Sequence, residues 1–437
     1  MRTILSLLCV VPAALLLSAC SGGDADTTEA GCDLSASNSI CTIAGSGEVG
    51  YDSNADTHAL DALKAEFSLP QDTLTASNGS IYILDWNNHR IRLLKGGKVS
   101  WVAGRGELGG SLDDPANGDF NHPTNIIFDE TTQKIMIAAW HNSKVRILDR
   151  ATGAITDNCG DGKRAYWGDE GPAAMASLDL PASLAWAPTG DLVIMDQANQ
   201  VLRNVDANGN IHRMAGRCII DSAPPAGPGK CPDGVEPTQC PPGMDMRPSG
   251  KYTCGDPMLF CSKPCTPGYA GDELPADQMR MAQPFGQSAS PAGRIIYDND
   301  GNLYFADTAN SLIRMIDTDG IVHRIAGLAP ENGSVQSGYS GDGGLAINAK
   351  LNYPVDLAFG DDGTLFFTDV HNHCVRSIDT HGKIHTVVGV CTEKGFDGDN
   401  GPPSEAHLNL PFGIEWSKGR LLVSDTGNSR IRAVRLP

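Results

Sequence analysis

The sequence predicts an all-β chain folded as a six-bladed β-propeller whose ring is closed by an N-terminal strand. The first observation is an eight-residue motif, DWNNHRIR at its first occurrence, that the chain repeats six times. Its copies begin at Asp85, Ala139, Asp196, Asp307, Asp369 and Asp425. A repeat at a nearly constant period indicates a modular fold. The third interval, from Asp196 to Asp307, is double the length of its neighbours, so an insertion lies in the middle of the chain.

The second observation is that each unit contains four short apolar runs separated by turns. In one unit these runs are IIYD, LYFAD, IRMID and VHRIAG, and the turn NDGN precedes the second run. Short β-branched and aromatic runs bounded by Gly, Asn and Asp predict a four-stranded antiparallel meander. Six such sheets arranged around an axis form a propeller.

The third observation is that the two ends of the chain complement each other. SICTIAGSG, residues 39–47, matches the fourth run of a unit, whereas the last unit stops after its third run, IRAVRLP. The N-terminal segment can therefore complete the last sheet, and closure removes the exposed strand edges of an open array. We expect a propeller over residues 39–437.

The repeated motif first requires a structural explanation. Its Asn and Arg occur in all six copies, and its Asp in five, with Ala139 as the exception. In a hairpin that turns near residue 88, Asp85 and Arg92 would lie opposite each other and form a cross-strand ion pair. Asn suits the turn because it tolerates the left-handed region. We interpret these residues as turn architecture: Asp85, Asn88, Arg92, Asn142, Arg146, Asp196, Asn199, Arg203, Asp307, Asn310, Arg314, Asp369, Asn372, Arg376, Asp425, Asn428 and Arg432.

The motif D-x-x-N-x-x-I/V/L-R, with the preceding GNLYFAD type of strand and the following G-x-I-x-x-x-A-G strand, resembles the NHL repeat. The resemblance covers residues 41–217 and about 268–437. Two long connections, GYSGDGGLAINAKLNYP and GFDGDNGPPSEAHLNLP, are similar to those of bacterial NHL proteins and of the teneurin NHL domain. The resemblance implies a rigid propeller that presents loops at its ends.

Residues 1–20 have the pattern of a targeting segment. An apolar run ends in LSAC, which resembles the bacterial lipobox and implies cleavage before Cys20 and lipid attachment to its sulfur. An ordinary secretory signal is the alternative. Ser21 favours the outer membrane, and residues 21–38 are expected to be a flexible tether. We expect an extracytoplasmic protein of the bacterial cell envelope, anchored to the membrane by lipid.

Charge excludes one class of partner. The chain has 33 Lys and Arg against 52 Asp and Glu, a formal net charge of −19, which argues against binding nucleic acid.

Cysteine usage agrees with export. Six of the 13 cysteines lie in residues 218–267, a Pro- and Gly-rich insertion between blades 3 and 4. Disulfides are the expected staple there, and zinc is the weaker reading because no Cys-x2-Cys pair occurs. Cys374 with Cys391 and Cys32 with Cys41 are plausible pairs, which leaves Cys159 single. The candidates inside the insertion are Cys218, Cys231, Cys240, Cys254, Cys261 and Cys265.

The connections from each fourth strand to the next first strand share a Gly-Asp step, as in GDEGPAAMASL and GDGGLAINAKL. Asp as an N-cap with Pro in the first turn predicts a short helical segment over one end of the propeller. Calcium is an alternative for these Asp-Gly runs, but they lack a spaced ligand series ending in a bidentate Glu. No other cofactor is indicated.

Some propellers that resemble this one are enzymes, such as peptidyl-amidoglycolate lyase and the gluconolactonases. The resemblance would imply metal ligands pointing inward from several blades. The position before each first-strand proline offers one histidine, His122, rather than three. No nucleophile elbow, metalloprotease helix or phosphate loop occurs. We assign no catalytic residue and no metal ligand, and a metal-dependent lyase or lactonase in the central channel remains the alternative function.

A binding scaffold for a protein or a glycan is the favoured function. Trp86 and Trp140 occupy the same motif position in neighbouring units and do not recur in the others, which suggests a recognition patch. The alternative is that both pack beneath the long loops. The candidate ligand-binding residues are Trp86, Trp140, His141, Trp167, His122 and His371. We expect them on the propeller end that carries the motif turns, with the insertion overhanging the same end.

Overall fold

The fold is taken from a computed structural model of the chain. It describes residues 37–110, 118–129, 131–218, 265–286 and 289–437, and the backbone alone of residues 28–29, 32–33, 237–239 and 252–254. The predicted signal peptide, most of the tether and most of the insertion lie outside the described residues.

Six antiparallel sheets, blades 1 to 6, surround one axis, and this confirms the predicted six-bladed propeller. In each blade the first strand is innermost and the fourth is outermost. Blades 1 to 3 contain the strands Pro70–Thr75, Ile81–Asp85, Arg90–Lys95 and Lys98–Ala103; Pro123–Asp129, Lys134–Ala139, Lys144–Asp149 and Ile155–Cys159; and Pro181–Trp186, Leu192–Asp196, Val201–Val205 and Asn210–Ala215. Blades 4 to 6 contain Ile295–Tyr297, Leu303–Asp307, Leu312–Ile316 and Ile321–Ala326; Pro354–Phe359, Leu365–Asp369, Cys374–Ile378 and Ile384–Val388; and Pro411–Ser417, Arg420–Asp425, Arg430–Arg435 and Ser39–Ala44.

The N-terminal strand closes the ring, as predicted. Ser39–Ala44 pairs antiparallel with Arg430–Arg435, and Cys41 lies opposite Ala433. The sixth blade therefore joins the two ends of the propeller, and its outer strand is supplied from the start of the described chain.

Apolar cores lie between neighbouring blades, because each sheet is covered by side chains on both faces. Phe366 of blade 5 stacks on Trp416 of blade 6 with ring centroids 5.3 Å apart. Trp186 of blade 3 donates its indole N–H to the backbone oxygen of Phe128 in blade 2, at 3.0 Å. Aromatic side chains thus link successive sheets as well as fill the space between them.

The helical elements of the described chain are single 3-10 turns. Six belong to the repeated motif: Trp86–Asn88, Trp140–Asn142, Gln197–Asn199, Thr308–Asn310, Val370–Asn372 and Thr426–Asn428. Six others lie in the connections between blades: Ser53–Asp56, Ala62–Lys64, Ala173–Met175, Ala276–Gln278, Ala346–Asn348 and Pro403–Glu405. No helix within the described ranges has the length and apolar character needed to cross a membrane.

The motif turns and the connections between blades share one end of the propeller, which we call the motif-turn face. The backbone N–H of Asn87 donates to Ser68 O at 3.0 Å, and that of His141 donates to Asn121 O at 3.1 Å. Both bonds join a motif turn to the segment just before a first strand. This face is therefore the one that the candidate ligand-binding residues share.

Short additional strands decorate the outer edges. Leu60–Asp61, Gly171–Pro172 and Leu274–Pro275 add a fifth strand to blades 1, 3 and 4. Thr28–Glu29 pairs with Cys32–Asp33, and Pro237–Gln239 pairs with Tyr252–Cys254.

The insertion leaves the propeller and returns to it at the same place. Cys218 and Cys265 form a disulfide with Cα atoms 4.8 Å apart, directly after the fourth strand of blade 3. Its base is thus held at the motif-turn face. Cys231, Cys240 and Cys261 and the side chain of Cys254 lie outside the described residues.

Candidate ligand-binding face

The repeated motif builds one turn in every blade. In blade 1, Asp85 accepts from the Asn88 amide at 2.9 Å and from the Arg92 guanidinium at 3.0 Å, and Asp85 and Arg92 are both 0% exposed. The Asn88 amide also donates to Gly50 O at 2.7 Å. These contacts tie the hairpin to the preceding connection, which accounts for the residue types at all three positions.

Two details of the motif differ from the sequence interpretation. Arg92 pairs with Ile83 in the strand register, and Asp85 faces Arg90, so the Asp85–Arg92 ion pair runs diagonally rather than directly across. The residue with left-handed backbone is not the Asn but the residue after it. The Asn is the last residue of a 3-10 turn, and the next residue caps that turn with a positive φ. These left-handed residues are His89, Ser143, Gln200, Ser311, His373 and Ser429.

The Gly-Asp connections bind the motif arginines and do not cap helices. Arg203 donates to Asp169 at 2.8 Å, and Arg432 donates to Asp399 at 2.8 Å. The N-cap of the adjacent 3-10 turn is a proline in three of these connections, so the predicted Asp cap was wrong. Since the aspartates face guanidinium groups, their chemistry is that of ion pairs rather than of a calcium loop.

Blade 2 compensates for its missing Asp. In blade 1 the motif Asp, Asp85, accepts a backbone N–H. In blade 2 the equivalent residue is Ala139, and Asn142 Oδ1 accepts the corresponding N–H, that of Asn121, at 2.8 Å. Arg146 instead pairs with Asp157 at 3.0 Å, and its amino group donates to Gly110 O at 2.7 Å. Ala139 therefore leaves the turn intact because Asn142 takes over the acceptor role.

Five rings from blades 1 and 2 form a contiguous patch on the motif-turn face. We call it the aromatic–histidine cluster, and it consists of Trp86, His89, His122, Trp140 and His141. His122 lies at its centre, with its ring centroid 4.4 Å from those of Trp86 and His89 and 4.8 Å from that of His141. The structure thus brings four of the six candidate residues into direct contact.

The cluster has a buried base and a solvent-facing edge. Trp140 is 1% exposed, stacks under His141 at 4.2 Å, and donates its indole N–H to Gln197 at 3.1 Å. Trp86, His122 and His141 are half-buried. Packing beneath its neighbours therefore explains Trp140, as the alternative interpretation expected, while the other three retain accessible surface.

The histidines of this cluster are uncharged near neutral pH. Burial lowers the pKa of His122 to about 3, and the adjacent His89 and His141 lower it further. Burial lowers the pKa of His141 to about 4, with a smaller contribution from Arg164. Burial also lowers the pKa of His89, whose Nδ1 accepts the backbone N–H of His122 at 3.2 Å. A neutral imidazole offers one donor and one acceptor. The cluster is therefore an aromatic surface with polar ring edges and no net charge.

The other two candidate residues lie apart from this cluster. Trp167 is 38% exposed beside a shallow cavity of about 360 Å³, which Met175 also lines, at the connection into blade 3. His371 is exposed on the motif turn of blade 5 and stacks on Tyr353 with ring centroids 4.3 Å apart. The face therefore presents three separate aromatic surfaces.

Sequence reasoning missed a ring of mostly polar residues on the axis. It is formed by the third residue of five first strands and by the residue just before the first strand of blade 4: Asp72, Asn125, Ser183, Arg294, Asp356 and Gly413. The guanidinium of Arg294 lies 2.9 Å from Asp72 and 3.7 Å from Asp356. All three side chains are buried. The available signal was the charge in strands that otherwise read as apolar.

The polar ring affects whether the central channel could hold a metal-dependent reaction. A cation, Arg294, occupies the axis and is matched to two carboxylates. Within the described ranges no group of three or more His, Cys, Asp or Glu side chains is arranged to hold a metal ion.

Two of the predicted disulfide candidates outside the insertion form a bridge. Cys374 and Cys391 are bonded, with Cα atoms 5.1 Å apart, at the motif-turn end of blade 5. Cys41 is also disulfide-bonded, and the side chain of its predicted partner, Cys32, lies outside the described residues. Cys159 is a free, buried thiol, and burial raises its pKa to about 12.

Comparison with known proteins is consistent with this architecture. The family model for the teneurin NHL domain matches residues 325–395. Mouse teneurin-3 is 26% identical over 388 residues, which cover 82% of this chain and 12% of teneurin-3. The chain thus spans only about an eighth of the length of that relative.

Solved structures show the same fold. An auxiliary nutrient binding protein from Bacteroides thetaiotaomicron superposes with a TM-score of 0.55 at 14% identity, over 90% of this chain and 75% of that one. Another, from Bacteroides ovatus, has a TM-score of 0.54 at 12% identity, over 91% and 76%. With the six motif turns and the closed ring, these likenesses show that the chain is a six-bladed β-propeller, and the matched residues 325–395 make it similar to NHL-type propellers.

Proposed function

We propose that this propeller is an exported binding scaffold of the bacterial cell envelope that recognises a protein or a glycan through the aromatic–histidine cluster. The observation that carries the proposal is the cluster itself, which gathers Trp86, His122 and His141 on one rim. Aromatic residues that combine apolar area with a polar edge dominate recognition surfaces. The rigid closed ring beneath them keeps the surface preorganised.

Electrostatics further limits the charge that the ligand can carry. The chain carries a formal net charge of −19, whereas the cluster is neutral. A strongly acidic ligand would meet long-range repulsion at this surface. We therefore propose a neutral or basic protein segment, or a glycan, as the bound species.

Export and anchoring are part of the proposal. The Cys218–Cys265 and Cys374–Cys391 disulfides suit an oxidising, extracytoplasmic compartment. The sequence around Cys20 would supply a lipid anchor, and residues 21–38 a tether. Two Bacteroides neighbours are described as auxiliary nutrient binding proteins, which is consistent with a binding role for this fold.

A channel-based metal reaction has no comparable support. Arg294 places a buried positive charge where a metal ion would have to sit, and Asp72 and Asp356 already serve that charge. Binding is therefore the function that we propose.

Site-specific photocrosslinking in intact cells tests the proposal. A photoreactive amino acid would be introduced at Trp86, and separately at His141. Matched controls at Thr152 and His381 lie on exposed turns at the opposite end of the propeller. We expect discrete adducts from the first two positions and none from the controls.

Equal adduct formation at both ends, or none at residues 86 and 141, would contradict the assignment. A Cys20→Ala variant, assayed by membrane fractionation, tests the anchor separately. Release of that variant from the membrane fraction is the expected result.

A further inference from the structure

The segment that precedes the closing strand leaves the propeller at the end opposite to the motif-turn face. First strands begin at the motif-turn face, and third strands end at the opposite end, because neighbouring strands of each blade are antiparallel. The closing strand starts at Ser39, which pairs with Arg435, the last residue of the third strand of blade 6. The proposed tether, and with it Cys20, therefore departs from that opposite end, which we call the tether face.

Basic side chains lie beside this exit. Lys95 and Lys98 flank the turn between the third and fourth strands of blade 1, and Lys418 lies in the turn between the first and second strands of blade 6. All three are exposed, and no ion pair joins them to another residue in the described parts of the chain. Leu94, which precedes Lys95, shares an apolar core with Cys41 of the closing strand. The basic turns are therefore next to the strand that the tether enters.

The shape of these turns suits close approach to a flat surface. Gly96, Gly97 and Gly419 have positive φ values of 56°, 69° and 73°. A Cβ added at Gly96 or Gly419 would meet no atom within 4 Å beyond the chain neighbours, so both turn tips project into solvent. Lys418 has φ 53° at a turn position where Asn or Gly is usual. Backbone geometry therefore does not explain a lysine there.

The other side of the tether face has the opposite charge. The turns 95–98 and 417–420 contain no Asp or Glu. Across the axis, the turns of blades 4 and 5 at the same end contain Asp298, Asp300, Asp317, Asp319, Asp361 and Asp362. The tether face is thus basic beside the tether exit and acidic on the far side of the ring.

An anionic bilayer would act differently on a free and on a tethered chain. The formal net charge of −19 repels the free chain. A tethered chain is already at the surface, so its orientation depends on how its charge is distributed. Each basic residue close to an anionic bilayer contributes about 1 kcal/mol, an attraction that fades within a Debye length. Repulsion of the acidic side turns the propeller in the same direction.

We infer that the basic turns of blades 1 and 6 bind anionic phospholipid headgroups of the membrane that holds the tether. This contact directs the motif-turn face, and with it the aromatic–histidine cluster, away from the bilayer. The inference rests on the proposed lipid anchor and deepens it, because it gives the anchored propeller a defined orientation.

Acetylation of lysine side chains, read by mass spectrometry, tests the inference. The mature chain would be coupled through the Cys20 thiol to a maleimide lipid in vesicles of phosphatidylcholine, with or without phosphatidylglycerol. We expect phosphatidylglycerol to slow the acetylation of Lys95, Lys98 and Lys418 about fivefold or more. Lys383, an exposed residue at the same end of blade 5, should keep its rate. High salt should remove the protection, because it screens the attraction.

Variants of one turn leave the lysines of the other turn as reporters. Lys95→Gln/Lys98→Gln should restore the acetylation of Lys418, and Lys418→Gln should raise that of Lys95 and Lys98. The matched control, Lys383→Gln, should leave the protection unchanged. These side chains are exposed, so an unchanged thermal midpoint is expected for all three variants.

Chemical coupling separates this inference from the anchor itself. Membrane fractionation of Cys20→Ala reports whether cells attach a lipid, whereas the coupled chain reports the lipid contact in either case. Equal acetylation on both kinds of vesicle, or protection confined to other lysines, would overturn the inference. Protection of the uncoupled chain by inorganic phosphate alone would also overturn it, since the turns would then bind a soluble anion.

Discussion

Arg294 of blade 4 donates across the propeller axis to Asp72 of blade 1, with the guanidinium nitrogen 2.9 Å from the carboxylate oxygen. The same side chain donates to Thr124 O at 3.0 Å. Asp72 in turn accepts from the Asn125 amide at 2.8 Å. One cation therefore ties opposite sides of the ring together, and its burial makes the pairing costly to break.

Removing this cation should destabilise the whole propeller. Arg294→Met would leave Asp72 and Asp356 buried without their partner, a loss of about 3–5 kcal/mol in the free energy of unfolding. Urea denaturation followed by tryptophan fluorescence measures it. Lys95→Met, at an exposed strand end, is the matched control and should change the midpoint little. A loss of less than about 1 kcal/mol for Arg294→Met would show that the axis does not depend on this pair.

Two equivalent asparagines should respond differently to the same substitution. Asn88→Asp places a second carboxylate beside Asp85, to which Asn88 now donates, so it should destabilise by about 1–3 kcal/mol. Asn142→Asp in blade 2 meets no motif Asp, because Ala139 stands there. It keeps the acceptor for Asn121 but loses the amide bond to Gly109 O at 2.6 Å, so we expect a smaller loss, of about 1 kcal/mol. Thermal unfolding of both variants provides the test, and equal losses would contradict the compensation that we describe for blade 2.

The aromatic–histidine cluster should make the protein sensitive to acid. His122 and His141 have folded-state pKa values of about 3 and 4, below the ordinary value of 6.5, so the unfolded chain takes up protons first as the pH falls. Above pH 6.5 these two histidines do not reduce the free energy of unfolding. As the pH falls towards 4 they lower it progressively, by about 1–2 kcal/mol for each histidine at pH 5.

Wild type and a His122→Gln/His141→Gln variant would be compared by urea unfolding at pH 8, 6.5 and 5. The variant should lose less stability between pH 8 and 5, because the contributions of the other titrating groups cancel in the difference. His381→Gln serves as the control at an exposed site. Parallel curves for the wild type and the double variant would exclude this origin of acid sensitivity.

The Cys374–Cys391 disulfide should stabilise blade 5. It closes a loop with a sequence separation of 17, for which the expected contribution is about 3 kcal/mol. A Cys374→Ala/Cys391→Ala variant should unfold at correspondingly lower urea. Adding a reductant should then lower the wild-type midpoint by more than that of the variant. An equal response of both proteins would place the effect of reduction elsewhere.

The propeller could be predicted from the sequence because its determinants are local. The motif and the four apolar runs are visible within a single repeat unit, and the closing strand is recognised because residues 39–47 match the fourth run of the other units. Turn chemistry and alternation act over such short windows, so comparison of the units predicted the blade count, the closure of the ring and the Cys374–Cys391 bridge.

What the tertiary structure alone decided involves residues far apart in the chain. Arg294 and Asp72 are 222 positions apart, and no local pattern indicates that they meet on the axis. Gln283 likewise bonds Gln200 of blade 3 and Ala306 of blade 4, contacts that depend on how the two blades approach each other. The burial of Trp140 under His141 follows in the same way from contacts between blades. Repetition specifies the frame, whereas the sites arise where the repeats differ and the ring brings those differences together.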